Sequence, residues 1–323
     1  PTASPMSPIY FEGRSLASRV KARWPKSRVV SVALKDRAAI LMAGAGADAA
    51  YWFDDKAAAF VSVSAYPYDP RPFAFNATLP EFLVGRGTWS YSLGVPTKTV
   101  CPVDLDSYHE NNGGLGRGLL HPVRDMRALL KTPYGNDMLE RFAERVIADY
   151  GLGRNPAGAP DVLAISFSAY DAMGHAYGPD SCEMADATAR LDQTLDRLLQ
   201  YLQAMAPRQD LAVLLTADHG SAPIPELLEA AGQDAGRLSL YGSNPSSMAR
   251  LPPLRRALEQ GAAAAFDYVV TDTGPFLVAS FEDPCLYLAP EGPAKGREPR
   301  VRAWLKGFLG VQEGVQSVYT TED

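Results

Sequence analysis

Short apolar runs along the chain alternate with stretches whose apolar positions recur every three or four residues, the pattern of strands interleaved with helices. Residues 27–34, SRVVSVAL, form a β-branched run that reads as a buried strand ending at Lys35, and 59–66, AFVSVSAY, read as another. Between 132 and 151 the apolar residues Met138, Leu139, Phe142, Val146 and Ile147 keep helical spacing, and Gly151 supplies a stop. DVLAISFS (161–168) predicts a strand, and 179–205 a long amphipathic helix capped by Asp180 or Ser181. Met184, Leu191, Leu195, Leu198 and Leu202 make its packing stripe. LAVLLTA (211–217) predicts a further strand. Strand, crossover helix and continuous apolar strand describe a parallel βαβ unit covered on both faces. The distal third alternates helical stretches (252–265, 297–310) with strand-like ones (266–272, 276–281, 285–289). The expected fold class is α/β, a mostly parallel central sheet flanked by helices. Residues 67–125 are irregular and aromatic and predict a loop or cap insertion within a single domain spanning 1–323.

Composition narrows the partners. The chain has 323 residues, a net charge of −6 and a sequence pI near 5.4, so no global positive field favours nucleic acid or acidic membranes. One basic run, RSLASRVKARWPKSR at 14–28, departs from this and reads as the solvated face of a helix. No apolar stretch approaches the roughly 18 residues needed to span a bilayer. Cys101, Cys182 and Cys285 are widely spaced and odd in number, which excludes a disulfide-dense scaffold and a cysteine-rich zinc module. N-A-T at 76–78 satisfies a glycosylation sequon. The opening residues carry no signal pattern and begin with Pro rather than Met, so the chain is expected to start inside a longer one.

Three of the predicted strands end in residues able to do chemistry. The first is followed by Lys35-Asp36-Arg37, the one at 161–168 by Asp171 and His175, and the one at 211–217 by Asp218 and His219. In open α/β sheets ligands bind at the carboxyl ends of strands. Asp oxygen and His nitrogen suit zinc and its first-row neighbours, whereas calcium or magnesium favour all-oxygen shells. An Asp-x-x-x-His spacing places both side chains on one face of a helical turn, able to grip one ion.

YDAMGHAYGP, a helix, then LLTADHGSAPIPE resembles the alkaline phosphatase superfamily in its phosphodiesterase and nucleotide pyrophosphatase-like branch. VVSVALKDRAAILMAGAGADAAYWFDD, with TPYGNDM further on, is similar to the PafA-type alkaline phosphatases, in which a Lys-x-Arg pair marks the subgroup. The resemblance implies a two-zinc site, Asp171 and His175 holding one zinc and Asp218 and His219 the other. Lys35 and Arg37 would contact the nonbridging phosphoryl oxygens of a small phosphate monoester. A Thr or Ser nucleophile would form a covalent phosphoenzyme. It also implies a periplasmic or secreted location.

The physics of phosphoryl transfer fits such a constellation. Two metals about 4 Å apart stabilise the attacking and leaving oxygens of an in-line displacement. Arg offers a planar fork and Lys a point charge. A monoester dianion carries more charge than a diester, so two extra cations favour the monoester. Each zinc in the family has three protein ligands, and this chain shows two per metal. The missing Asp, the nucleophile and the third His are expected outside it, so the resemblance implies a truncated segment, inactive alone. A phosphodiesterase or nucleotide pyrophosphatase of the same superfamily is the alternative, and a non-catalytic pseudoenzyme or binding fragment the alternative of another class. Cys101-Pro102-Val103 lacks the Cys-x-Pro-x-Arg pattern of a sulfatase.

Overall fold

The structure, a computed structural model, describes residues 6–91, 115, 116, 118, 120–206, 208–236, 251–282, 285–321 and 323. The chain divides into two compact units, Pro1–Leu227 and Leu228–Asp323.

The first unit is built on a four-stranded sheet of β1 (Val29–Ala33), β2 (Ala49–Asp54), β3 (Ala59–Val61) and β6 (Val162–Ser166), in the order β3-β2-β1-β6. β1 runs parallel to both neighbours, with Val30 opposite Ala49 and Val29 opposite Val162. Only β3 is antiparallel. This is the mostly parallel open sheet that the pattern predicts. Every residue of β1 is buried, because α-helices cover both faces. Successive side chains of a strand point to opposite faces. Val30, Val32, Tyr51 and Phe53 accordingly enter one core with Met138, Phe142, Val146 and Met173. Val29, Ala33, Ala50 and Trp52 enter the other with Ala17, Ala39 and Ile40.

On the second of these faces lie α1 (Leu16–Arg23) and α2 (Asp36–Ala43), the crossover from β1 to β2. Short helices α3 (Leu79–Val84) and α4 (Met126–Leu129) lead to the helices of the first face. These are α5 (Pro133–Tyr150), α6 (Ala169–Tyr177) and α7 (Cys182–Met205). The Ser181 hydroxyl accepts from the Met184 amide at 3.2 Å and so caps α7, one of the two caps expected there. A two-stranded antiparallel pairing of β4 (Thr88–Trp89) with β5 (His121–Pro122) lies in the same unit.

Sequence and structure part at several places. Residues 211–217 are not a strand: no described backbone runs alongside them, and Val213, Leu214 and Leu215 are 59, 86 and 79% exposed. An extended segment is held as a strand only by a ladder, and among the described residues β6 forms its ladder on β1 alone. Residues 266–272 are not a strand either, since Phe266 ends a helix and Asp267 turns the chain with a positive φ of 52°. The strand expected over 59–66 stops at Val61. Asn76 of the sequon uses its carboxamide structurally, accepting from the Phe60 amide at 2.8 Å and donating to the Phe60 carbonyl at 3.0 Å. Much of the irregular stretch singled out between 67 and 125, including Cys101 and His109, lies outside the described residues.

The short helix α8 (Pro225–Ala230) straddles the division between the units. The second unit holds the hairpin of β7 (Val278–Glu282) and β8 (Cys285–Leu288), with α9 (Pro253–Phe266) and α10 (Glu298–Gly310). Its core is Leu258, Phe266, Leu277, Val301 and Leu305. Glu259 is fully buried and accepts from the amides of Leu277 and Val278 at 2.7 and 3.0 Å. No helix among the described residues is long and apolar enough to cross a membrane.

Candidate metal centre

The chemistry collects where the sheet's carboxyl edge meets α6. β1 ends at Ala33, and two residues later the chain turns into α2 with Lys35 at its N-cap. β6 ends at Ser166 beside it, since Ala33 and Ser166 are register partners, and α6 follows with Asp171 in its first turn and His175 one turn on. His219 arrives from the long connection after α7. Gly174 within α6 and Gly178 at its C-cap let it approach. A β-carbon at Gly174 would stand 2.9 Å from the Ser221 Oγ, and one at Gly178 would stand 2.7 Å from the Ile224 Cδ1. A side chain at either position would force Ser221 or Ile224 to shift.

Asp171 is the centre of the cluster, and its two oxygens are used differently. The Lys35 Nζ donates to Oδ2. Oδ1 is buried and receives no hydrogen bond. Two imidazoles face it, His175 Nε2 at 3.1 Å and His219 Nε2 at 3.4 Å. Burial alone would raise the Asp171 carboxyl, but the Lys35 bond and charge, with the two histidines, outweigh it and hold it below the usual carboxylate range. His219 Nδ1 lies 3.0 Å from the Gly220 carbonyl. A proton on Nδ1 donated there leaves the Nε2 lone pair directed toward Asp171, the arrangement that orients ligating histidines. That same carbonyl, with Asp218 and Asp171, raises the imidazole's own pKa.

These atoms fit a divalent cation. One carboxylate oxygen and two imidazole nitrogens lie within 4.8 Å of one another. Zinc bonds to such donors are about 2.0–2.1 Å, and the edge of a tetrahedron of that radius is about 3.4 Å. The 3.1 and 3.4 Å separations around Oδ1 are of that size. The unbonded buried oxygen is the strongest sign, because an acceptor taken from water without a partner is costly.

The structure brings Lys35, Asp171, His175 and His219 together. The Asp218 side chain is 88% exposed and stands outside the three-ligand cluster, 3.8 Å from His219 Nε2. Arg37 is exposed, and its amide donates to the Asp36 carboxylate at 2.6 Å. The geometry thus groups three ligands at one point, whereas the resemblance implied two pairs. Gly220, Ser221 and Ile224, which aim and seat the His219 segment, were missed by sequence reasoning. The signal available was the pair of glycines one helical turn apart in YDAMGHAYGP.

Comparison with known proteins settles the lineage. The profile of the type I phosphodiesterase / nucleotide pyrophosphatase family matches residues 11–273. The chain belongs to that family. Among its relatives, alkaline phosphatase PhoV of Synechococcus elongatus is 31% identical over 211 residues, covering 63% of this chain and 38% of PhoV. Alkaline phosphatase PafA of Elizabethkingia meningoseptica is 30% identical over 207 residues, covering 61% of this chain and 37% of PafA. The crystal structure of wild-type PafA shares the fold with a TM-score of 0.79 at 22% identity, over 95% of this chain and 57% of that one. The chain therefore spans well under two thirds of the length of these family members. The expected superfamily and the α/β fold both stand.

Proposed function

We propose that the chain supplies part of the active site of a zinc-dependent phosphomonoesterase, with Asp171, His175 and His219 as ligands of one ion. The observation that carries this reading is the buried Asp171 Oδ1 facing two imidazole nitrogens without a hydrogen bond of its own. Asp218, exposed beside His219, is the further carboxylate for a second ion. Bound divalent ions supply Lewis-acid polarisation of the phosphoryl group. Lys35 contributes a fixed positive charge at the rim of the cluster, which binds and orients a phosphoryl oxygen. Its bond to Asp171 also holds the carboxylate in the rotamer that leaves Oδ1 free. The names of PhoV and PafA support the monoester. The Thr or Ser nucleophile of the resemblance is not assigned to a residue of this chain.

One observation favours a diesterase instead. Arg37, the second cation expected on the phosphoryl group, is exposed, and among the described residues its side chain makes no hydrogen bond or ion pair with the cluster. A diester carries less charge and needs fewer cations. Assaying the full-length protein with an aryl phosphate and a bis-aryl phosphate decides between them: a strong preference for the monoester supports the proposal, and a preference for the diester overturns it. Placement in the periplasm or outside the cell is supported by Cys182, which is disulfide-bonded, since such bonds persist in oxidising compartments.

A further inference from the structure

Residues 13–35 carry seven cations, Arg14, Arg19, Lys21, Arg23, Lys26, Arg28 and Lys35, and no Asp or Glu, in a chain of net charge −6. Three of them are engaged. Lys21 pairs with Asp48 at 2.5 Å, Arg28 donates to the carbonyls of Tyr150 and Gly151 at 2.7 and 2.6 Å, and Lys35 holds Asp171. Arg14, Arg19, Arg23 and Lys26 are exposed and make no ion pair with any described residue. Three of these arginines, with Gly13, Ser18 and Ala22, line a shallow depression of about 570 Å³ whose lining contains no carboxylate.

Apolar side chains flank the same cations. Leu16 is 64% and Trp24 41% exposed. On α1, Leu16, Arg19 and Arg23 follow one another at helical spacing, while Ala17 faces the core. The Arg23 guanidinium lies 5.1 Å from the centre of the Trp24 ring. A soluble polyanion would satisfy the charges and leave Leu16 and Trp24 without a role. A bilayer surface answers both, because its anionic headgroups attract Arg and Lys while its interfacial layer accepts Trp and Leu.

We propose that this face of α1 docks the protein on an anionic phospholipid surface. The residues concerned are separate from the Asp171 cluster, so the inference stands whatever that cluster binds. Flotation of the protein with vesicles of phosphatidylcholine, alone or in equal parts with phosphatidylglycerol, tests it. Binding is expected on the anionic vesicles only, weakening as salt is raised. Arg19→Gln and Arg23→Gln should each lower the partition about fivefold. Trp24→Ala should lower it further while keeping the salt dependence. Both arginines are exposed and unpaired, so an unchanged melting temperature of the double variant separates lost docking from lost folding. Equal binding to neutral vesicles, or no binding to either, overturns the proposal. So does duplex DNA binding that needs the arginines and ignores Trp24, which would assign the face to a different polyanion.

Discussion

Asp171 concentrates the site's chemistry in one side chain. Its ion pair with Lys35 is partly exposed, at 39% and 23% for the two side chains, and such pairs contribute roughly 0–1 kcal/mol to stability. Asp171→Asn should therefore leave the fold intact. It should weaken zinc binding by more than the roughly 10–100-fold that loss of an outer-shell partner costs. Calorimetric titration with zinc reads this directly, and unchanged affinity would remove Asp171 from the ligand set. Half of this site was legible in the sequence. Asp171 and His175 share a helical face by their spacing alone, which periodicity reveals. The joining of His219 was hidden because it depends on contacts far apart along the chain, Ser221 against Gly174 and Ile224 against Gly178.

Among the elements, α6 is the one whose backbone contour decides the site. Gly174→Ala would place a methyl 2.9 Å from the Ser221 Oγ. Weaker zinc binding is expected, with recovery in Gly174→Ala combined with Ser221→Gly; a double-mutant cycle on zinc affinity measures the coupling. In the second unit, α9 offers a test by pH. Burial raises the Glu259 carboxyl, and the bonds from Leu277 and Val278 oppose that rise only in part. A folded pKa above the unfolded value means that the contribution is complete below the unfolded value and lost as pH rises through the folded one. Protection of the Leu277 and Val278 amides, corrected for intrinsic exchange, should thus fall as pH climbs above the ordinary carboxylate range. The decline should flatten in Glu259→Gln. Protection that rises there would contradict the assignment. Several elements were readable from pattern: β1 and β6 from apolar runs, α5, α7, α9 and α10 from helical periodicity. β2 escaped because AAYWFD, as continuously buried as β1, opens on two alanines and contains no β-branched residue.

At the scale of the whole molecule, the sheet explains why its carboxyl edge carries the chemistry. Parallel register sets the ends of β1 and β6 side by side, so Lys35 and Asp171, 136 positions apart, meet across one edge. That meeting follows from strand order, which no local pattern encodes. The charge distribution belongs to the same scale: cations gather on α1 while the molecule as a whole is acidic.

The exposed run at 211–217 has a consequence for how the polypeptide behaves in quantity. It is uncharged, β-prone and free of proline, and it is exposed to solvent with no ladder to any described residue. Segments of this kind template cross-strand self-assembly. The 323-residue chain should scatter light increasingly with concentration and time, even when its core is folded. Leu214→Lys, a gatekeeper charge at the most exposed of its large apolar positions, should suppress that growth without lowering the melting temperature, as dynamic light scattering would show. Purification yield, rather than fold stability, is then the property that these few residues govern.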